Sequence, residues 1–402
     1  MIEWIFIIST ILLTWTFVGY PLLLLILSKF IQRKQLKNNN TNYVPTVSII
    51  IPTYNEERVI EEKLKNCLEL NYPKDKIEII IVDSSIDETS DIVKEYIQKN
   101  KDDINNIILV KEHKREGKAS AINKGIKYAR GEIIIITDAN AFLEKSSLME
   151  IVKHFIKENI GAIEGRYLIY TYQDYFTVRE ESLFRKFENW LKEKESLIDS
   201  TIGIVGELSA FHKNILTNIP FDKGMITEDF EISIRLRKKG YKILHEPNAI
   251  VWEYAPLNLR DEIIQKKRRT IGTIQALFKH KDAILNPKYG LYSLVILPSH
   301  KLLQILSPIL LFLFTTSSFG YYILIKNDIF YYLIIFEILF LLAGIISILS
   351  MRFKWKIRNS LFNGIGYFLL MQLIVILAWF DYFRGKYNVT WEKIESTRKI
   401  IK

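Results

Sequence analysis

From Trp4 to Ser28 the chain carries no Asp, Glu, Lys, Arg or His. A helix of about 20 such residues spans the hydrocarbon core of a bilayer. A cleavable leader would need a basic segment ahead of a shorter apolar core, and Glu3 precedes this one, so an uncleaved first transmembrane helix is expected. Three more apolar runs follow near the other end, Leu302 to Ile325, Ile329 to Ser350 and Leu361 to Phe380. They confine any water-soluble fold to the middle of the chain. The expected organisation is an N-terminal membrane helix at 1–30, a basic, Asn-rich linker at 31–44 containing NNNTN (Asn38 to Asn42), and a soluble domain at 45–280. An interfacial region at 281–301, about three membrane helices within 302–383 and a basic tail at 384–402 complete it.

Lys29, Arg33, Lys34 and Lys37 follow the first run at once, which places its C-terminal side, and the soluble middle, in the cytoplasm. The formal net charge of +10 would suit nucleic acid, but neither zinc-finger cysteines nor a recognition-helix pattern accompanies it. Basic residues beside membrane spans, drawn to anionic headgroups, account for the excess. The one cysteine, Cys67, excludes an internal disulfide framework and reads as a small buried hydrophobe.

Within the soluble middle, hydrophobic runs alternate with helical patterns. Val47 to Ile51 and Ile77 to Val82 are expected strands, as are the four consecutive isoleucines Ile133 to Ile136, whose lack of polar alternation fits a parallel strand covered on both faces. Helices are expected over Ile60 to Leu70, with Glu56 and Glu57 in the first turn, and over Ala119 to Tyr128. Such alternation predicts a doubly wound α/β sheet, whose ligands bind beyond the carboxyl ends of the strands. Tyr54, Asp83 and Asp138 all fall there.

Spacing alone leaves several residues with two readings. Asp138 and Asn140, two apart after a strand, can aim oxygens at one hard cation or simply close a turn. Gly117 and Lys118 suit a phosphate or a solvated basic loop. Arg179 to Ser196 is amphipathic, with Phe184, Phe187, Trp190 and Leu191 on one face, and could roof a cleft, lie on a bilayer or cover the sheet. His212 and His245 have no neighbours at metal-ligand spacing and read as structural.

The ordered series PTYNEE, IVDSSIDET, REGKASAINKGI, TDAN and ITEDFEISIRLRKKGYKI resembles family 2 glycosyltransferases with the GT-A nucleotide-sugar fold, over roughly residues 45 to 280. The resemblance implies donor-nucleotide contacts from Pro52, Thr53, Tyr54, Glu56, Asp83, Lys118 and Asp138. It implies a Mg²⁺ or Mn²⁺ ion at Asp138, with Asn140 where the family often has a second aspartate. Asp229, beside Glu228, matches the general base that removes the acceptor hydroxyl's proton, and one displacement implies inversion. In isolation the same two carboxylates could cap a helix. Gly206 and Glu207 match positions near the acceptor. Gln265, Arg268 and Arg269 resemble the QxxRW motif of processive synthases, with Arg269 at the tryptophan position. An aromatic there would stack on sugar, whereas arginine offers charge to a diphosphate or to lipid phosphate.

The resulting expectation is an integral membrane protein of the cell membrane with a cytoplasmic catalytic domain. It would be an inverting hexosyl- or N-acetylhexosaminyltransferase that moves sugar from a nucleotide-sugar donor, a UDP-sugar in first place, to a lipid-linked or growing glycan acceptor. A processive synthase, a polyprenyl-phosphate sugar synthase and an inactive scaffold of a glycan-assembly complex are the alternatives. One conflict stands. Four spans put Arg384, Lys386, Lys393 and Lys399 outside, whereas the basic MRFKWKIR loop (351–358) falls inside. The sequon Asn388-Val389-Thr390 lies in that tail.

Overall fold

The computed structural model describes residues 2–35, 43–100, 106–157, 159–170, 176–256, 258–353, 359–390 and 395–398. The NNNTN linker, residues 354–358 of the basic loop, Lys37, Lys393 and Lys399 lie outside them.

Eight strands form one sheet: β1 (Val47–Thr53), β2 (Ile77–Asp83), β3 (Ile107–Lys111), β4 (Ile133–Ile136), β5 (Ala141–Leu143), β6 (Ile160–Tyr170), β7 (Ser209–His212) and β8 (Lys242–Tyr254). Their order is β3-β2-β1-β4-β7-β6-β8-β5. β1, β2, β3 and β4 run parallel, as do β6 and β8, while β7 and β5 pair antiparallel. The isoleucine run explains why the centre is parallel and covered twice. Ile133 and Ile135 join Ile49 and Ile51 in one core, while Ile134 and Ile136 join Ile50 and Ile80 in the other. Each such buried side chain contributes on the order of 2 kcal/mol.

Five helices position the site: α1 (Lys118–Tyr128), α2 (Phe176–Ile198), α3 (Glu228–Lys238), α4 (Leu259–Lys279) and α5 (Ser360–Phe383). The helix after β1 spans Ile60–Leu68, so Glu56 and Glu57 sit in the turn before it and Glu61 and Glu62 fill its first turn. The Glu56 carbonyl accepts from the Val59 and Ile60 amides, which forms that turn. The charged face of α2 is not a solvated one. Lys192 pairs with Glu164 on β6 at 2.7 Å, and Glu195 accepts from the Tyr20 hydroxyl of the first apolar helix at 2.5 Å. α2 therefore covers the sheet and meets the membrane helices at once.

Four helices are long and apolar enough to cross a membrane: Ile2–Ile31, Tyr292–Ile325, Asp328–Met351 and Ser360–Phe383. The expected break between an interfacial helix and a span near residue 301 is absent, because Tyr292 to Ile325 is helical throughout, with two π-helical stretches before Leu303. The last helix departs from expectation too. Tyr367, in its first half, bonds Glu181 of α2, and Asp381, near its end, pairs with Lys267 of α4 at 2.6 Å. Contacts from both parts reach the catalytic layer, so α5 lies along α4 rather than leading away from it.

Candidate active site

The cleft opens at the carboxyl ends of β1, β2 and β4. Register pairs Thr53 with Asp83, so both strands end level. Asp83 nevertheless does not face the cleft. Its side chain is fully buried, with Oδ1 accepting from the Thr53 hydroxyl at 2.8 Å and from the Ser85 amide and hydroxyl, and Oδ2 from the Ser90 hydroxyl. Hydroxyls from β1 and the following loop turn inward to satisfy it. These bonds brace the loop that carries Tyr54.

Pro52, Thr53, Tyr54, Glu56, Lys118, Asp138 and Asn140 do line one pocket. Arg115 lies over the Tyr54 ring, 3.6 Å from its centroid, a cation–π contact. Glu56 is held by Arg398 from the C-terminal tail at 2.6 and 2.7 Å.

Asp138 stands at the floor, on a loop fixed from beneath. Buried Lys63 donates to the Thr137 hydroxyl at 2.9 Å and to the Ala141 carbonyl, and Thr137 donates to the Glu207 carbonyl at 2.8 Å. Burial brings the Lys63 ammonium down to about 8. Beside Asp138, the Lys118 ammonium lies 2.5 Å from its carboxylate and 3.6 Å from that of Glu228. Burial opposes the lysine's charge, but Asp138 and Glu228 outweigh it and raise its pKa. Gly206 leaves the room this needs, since a Cβ there would collide with the Lys118 ammonium.

Lys118 joins the pocket of Tyr54 and Glu56 to a second cavity of about 190 Å³ lined by Gly206, Glu207, Glu228, Asp229, Arg268 and Arg269. Asp229 Oδ1 accepts from the Phe230 amide at 2.7 Å, so a local capping bond accompanies its place on the cavity wall. Burial, opposed by Lys118 and reinforced by Asp229, pushes Glu228 up to about 7. Asp229 is raised as well, first by burial. The same cavity reaches Arg185, Glu188 and Lys192 on α2 and Lys301 in the first half of the apolar helix Tyr292–Ile325. Phe230 is its one aromatic residue.

α4 forms the floor of a larger cavity, about 710 Å³, lined by Gln265, Arg268 and Arg269 together with Asp138, Asn140 and the tail. Arg269 does not stand free for a phosphate, because its Nη2 pairs with Glu207 at 2.7 Å. Glu207 is correspondingly held low: burial opposes its charge, but Arg269 and Arg185 prevail. The helix approaches Thr227 closely at Gly272, where a Cβ would lie 2.5 Å from the Thr227 methyl carbon and 2.9 Å from its backbone nitrogen. Two side chains of α4 tie it to neighbouring helices, Lys267 to Asp381 and Lys266 to Glu181.

Sequence reasoning missed Lys63, Arg115, Glu253 and Arg398. Arg115 stands within the motif REGKASA and could have been found there. The others come from distant segments without a local signal. Among the described residues no cluster of three or more His, Cys, Asp or Glu side chains gathers at metal-binding distance. Asp138 and Asn140 place two hard oxygen donors on one loop at the cleft. His245 pairs with Glu164 at 3.1 Å, in keeping with a structural role.

Residues 48–218 match the family described as Glycosyl transferase family 2. The chain is 27% identical over 357 residues to the probable glycosyltransferase YdaM of Bacillus subtilis, covering 85% of this chain and 80% of that one. It is 28% identical over 269 residues to the poly-beta-1,6-N-acetyl-D-glucosamine synthase of Staphylococcus aureus strain COL, covering 66% of this chain and 63% of the synthase. Among solved structures, the mannosyltransferase PcManGT from Pyrobaculum calidifontis, in complex with GDP-Man and Mn²⁺, matches 96% of this chain and 100% of its own, with a TM-score of 0.72 and 25% identity.

Proposed function

From the premise that the chain carries a family 2 glycosyltransferase domain of GT-A fold, we propose a membrane-bound inverting enzyme that transfers one sugar from a nucleotide-sugar to a lipid-linked acceptor. The observation that carries this reading is the Lys118 ammonium, in contact with Asp138 and Glu228 together. It makes the nucleotide pocket and the cavity of Asp229 neighbouring chambers of one site.

In this reading the nucleotide lies in the pocket of Pro52, Thr53, Tyr54 and Glu56, and its diphosphate reaches Asp138. Asp229 accepts the proton of the acceptor hydroxyl while that oxygen attacks the anomeric carbon. The bond from that carbon to the phosphate oxygen breaks, the nucleoside diphosphate leaves, and the configuration inverts. Lys118 and Arg268 supply positive charge beside the leaving group. Glu228, kept beside Lys118, holds that ammonium in line.

Asp138 and Asn140 offer one carboxylate and one amide oxygen from a single loop. That donor set fits Mg²⁺ or Mn²⁺, which take hard oxygens and fill their remaining positions with water and substrate phosphate. When bound, such an ion offsets diphosphate charge.

Transfer of a single sugar is favoured by the charged wall of the acceptor cavity, where Arg269 and Glu207 stand in place of an aromatic platform. The synthase relative favours processive addition instead. Product length decides between them. Because Lys301, in the first half of the apolar helix Tyr292–Ile325, lines the acceptor cavity, the acceptor is read as entering from the membrane. Reading α5 as lying along α4 rather than crossing leaves three crossings and puts the tail, with Arg384 and Lys386, on the catalytic side, an arrangement that supports a cytoplasmic face.

The direct test is Asp229→Asn in full-length protein. Transfer should fall by at least about 10²-fold, while binding of UDP or GDP persists. Turnover near that of the unaltered enzyme would reject the assigned base. A screen of UDP- and GDP-sugars with membrane extracts, read by product mass, identifies donor and acceptor.

A further inference from the structure

Glu253 belongs to none of the motifs that carry the family resemblance, yet it lines the same cavity as Asp138 and Asn140. It comes from β8, whose register sets it opposite Ala141, the residue after Asn140. Its side chain is buried. Oε1 accepts from Asn140 Nδ2 at 2.6 Å, and Oε2 accepts from the Tyr167 hydroxyl at 3.1 Å. The Asn140 amide nitrogen also points toward the Thr397 hydroxyl oxygen, 3.5 Å away.

In the structure Glu253 accepts from the nitrogen end of the amide, the end that can donate to a carboxylate oxygen. The two ends of an asparagine amide have nearly the same shape, and a hydrogen-bond partner is what tells them apart. With the nitrogen bound to Glu253, the Oδ1 atom is turned the other way. Among the described residues no hydrogen-bond donor reaches that oxygen. A hard divalent cation requires an oxygen lone pair and would be repelled by an NH₂ group in its place.

We propose that Glu253 is a positioning residue for the divalent ion, fixing the Asn140 amide so that Oδ1 joins Asp138 as a second oxygen ligand. The inference rests on the metal reading above. It also accounts for the asparagine: the carboxylate missing from the loop stands on the neighbouring strand, where it orients the amide.

The test uses purified full-length protein in detergent, with Mn²⁺ titrated in the presence of UDP or GDP and free Mn²⁺ followed by electron paramagnetic resonance. Glu253→Gln preserves shape but lets the amide turn, and should weaken Mn²⁺ binding about tenfold or more without lowering the melting temperature. Asn140→Asp alone sets two carboxylates 2.6 Å apart and should gain nothing. The double variant Asn140→Asp with Glu253→Gln restores a donor–acceptor pair with its polarity reversed, and should bind Mn²⁺ more tightly than either single variant. Unchanged Mn²⁺ affinity in Glu253→Gln, or a double variant no better than Asn140→Asp, would overturn the role. A merely structural Glu253 would move melting temperature and leave the exchange of partners without effect on affinity. Unaltered protein that binds no Mn²⁺ with either nucleotide overturns the metal reading itself, and this inference with it.

Discussion

The side of the site proposed for the donor hangs from the hydrogen-bonded ladder β3-β2-β1-β4, whereas the side proposed for the acceptor is assembled from ion pairs between elements far apart in the chain. On the first side, Thr53 and Asp83 end two parallel strands level with each other, and Asp138 follows a third, β4, that stops opposite Ile50. On the second, Asp229 starts a helix, Glu207 is held by Arg269 of α4, and Lys301 lines the wall. A ladder tolerates loss of one side chain, because backbone bonds persist. A charge network does not, because removing one partner leaves the other buried and uncompensated.

Lys118 belongs to both sides, so its loss should be the most damaging change after that of Asp229. Lys118→Ala is expected to lower kcat about 10²-fold or more and to raise the donor KM as well, seen in steady-state kinetics. A change in KM alone would confine this lysine to the donor side. Gly272→Ala tests the acceptor side by geometry. Its methyl group must push α4 away from Thr227, and kcat should drop between about 10- and 100-fold with donor KM little changed.

The pH profile sharpens the same contrast. A general base works only when deprotonated, and burial raises both Glu228 and Asp229, the first to about 7. Activity should therefore fall on the acid side at a pH above the ordinary carboxylate range. Glu228→Gln removes a neighbouring negative charge and should move that acid limb to lower pH; an unmoved limb would mean the two carboxylates do not interact.

Asp83→Ala probes the donor side. Three hydroxyls lose their acceptor, at a cost of about 1–3 kcal/mol, read as a lower melting temperature and a raised donor KM. The smallest effect is expected from Arg398→Ala, which releases Glu56. Donor KM should change by no more than about fivefold, near 1 kcal/mol, with kcat untouched. A collapse of kcat would move the tail to the acceptor side.

The same division decides what could be read in advance. Ile133 to Ile136, with Thr137 to Asn140 after them, announce a covered strand and its loop because both features are local. Thr227 to Asp229 and Gln265 to Arg269 were visible as motifs, though not the close approach at Gly272 that brings their helices together. Asp83 shows how a position can be legible while its partners are not. The sequence places a carboxylate at the strand end but does not reveal that Thr53, Ser85 and Ser90 turn toward it. Longer reaches were invisible. Lys63 meets Thr137 across 74 positions, Asn140 meets Glu253 across 113 and Glu56 meets Arg398 across 342. No periodicity records such pairs.

Lys267 against Asp381, and Lys266 against Glu181 beside Tyr367, rivet α4 to the helices around it. A fragment of residues 43–280, without the apolar helices, would keep every strand together with Asp138, Glu228 and Asp229. It would also lose the last helix, leaving Lys267 without Asp381, Glu181 without Tyr367, and Arg268 and Arg269 on a floor stripped of that support. Such a fragment should fold and hold nucleotide yet turn over poorly, so the anchor is part of the catalyst.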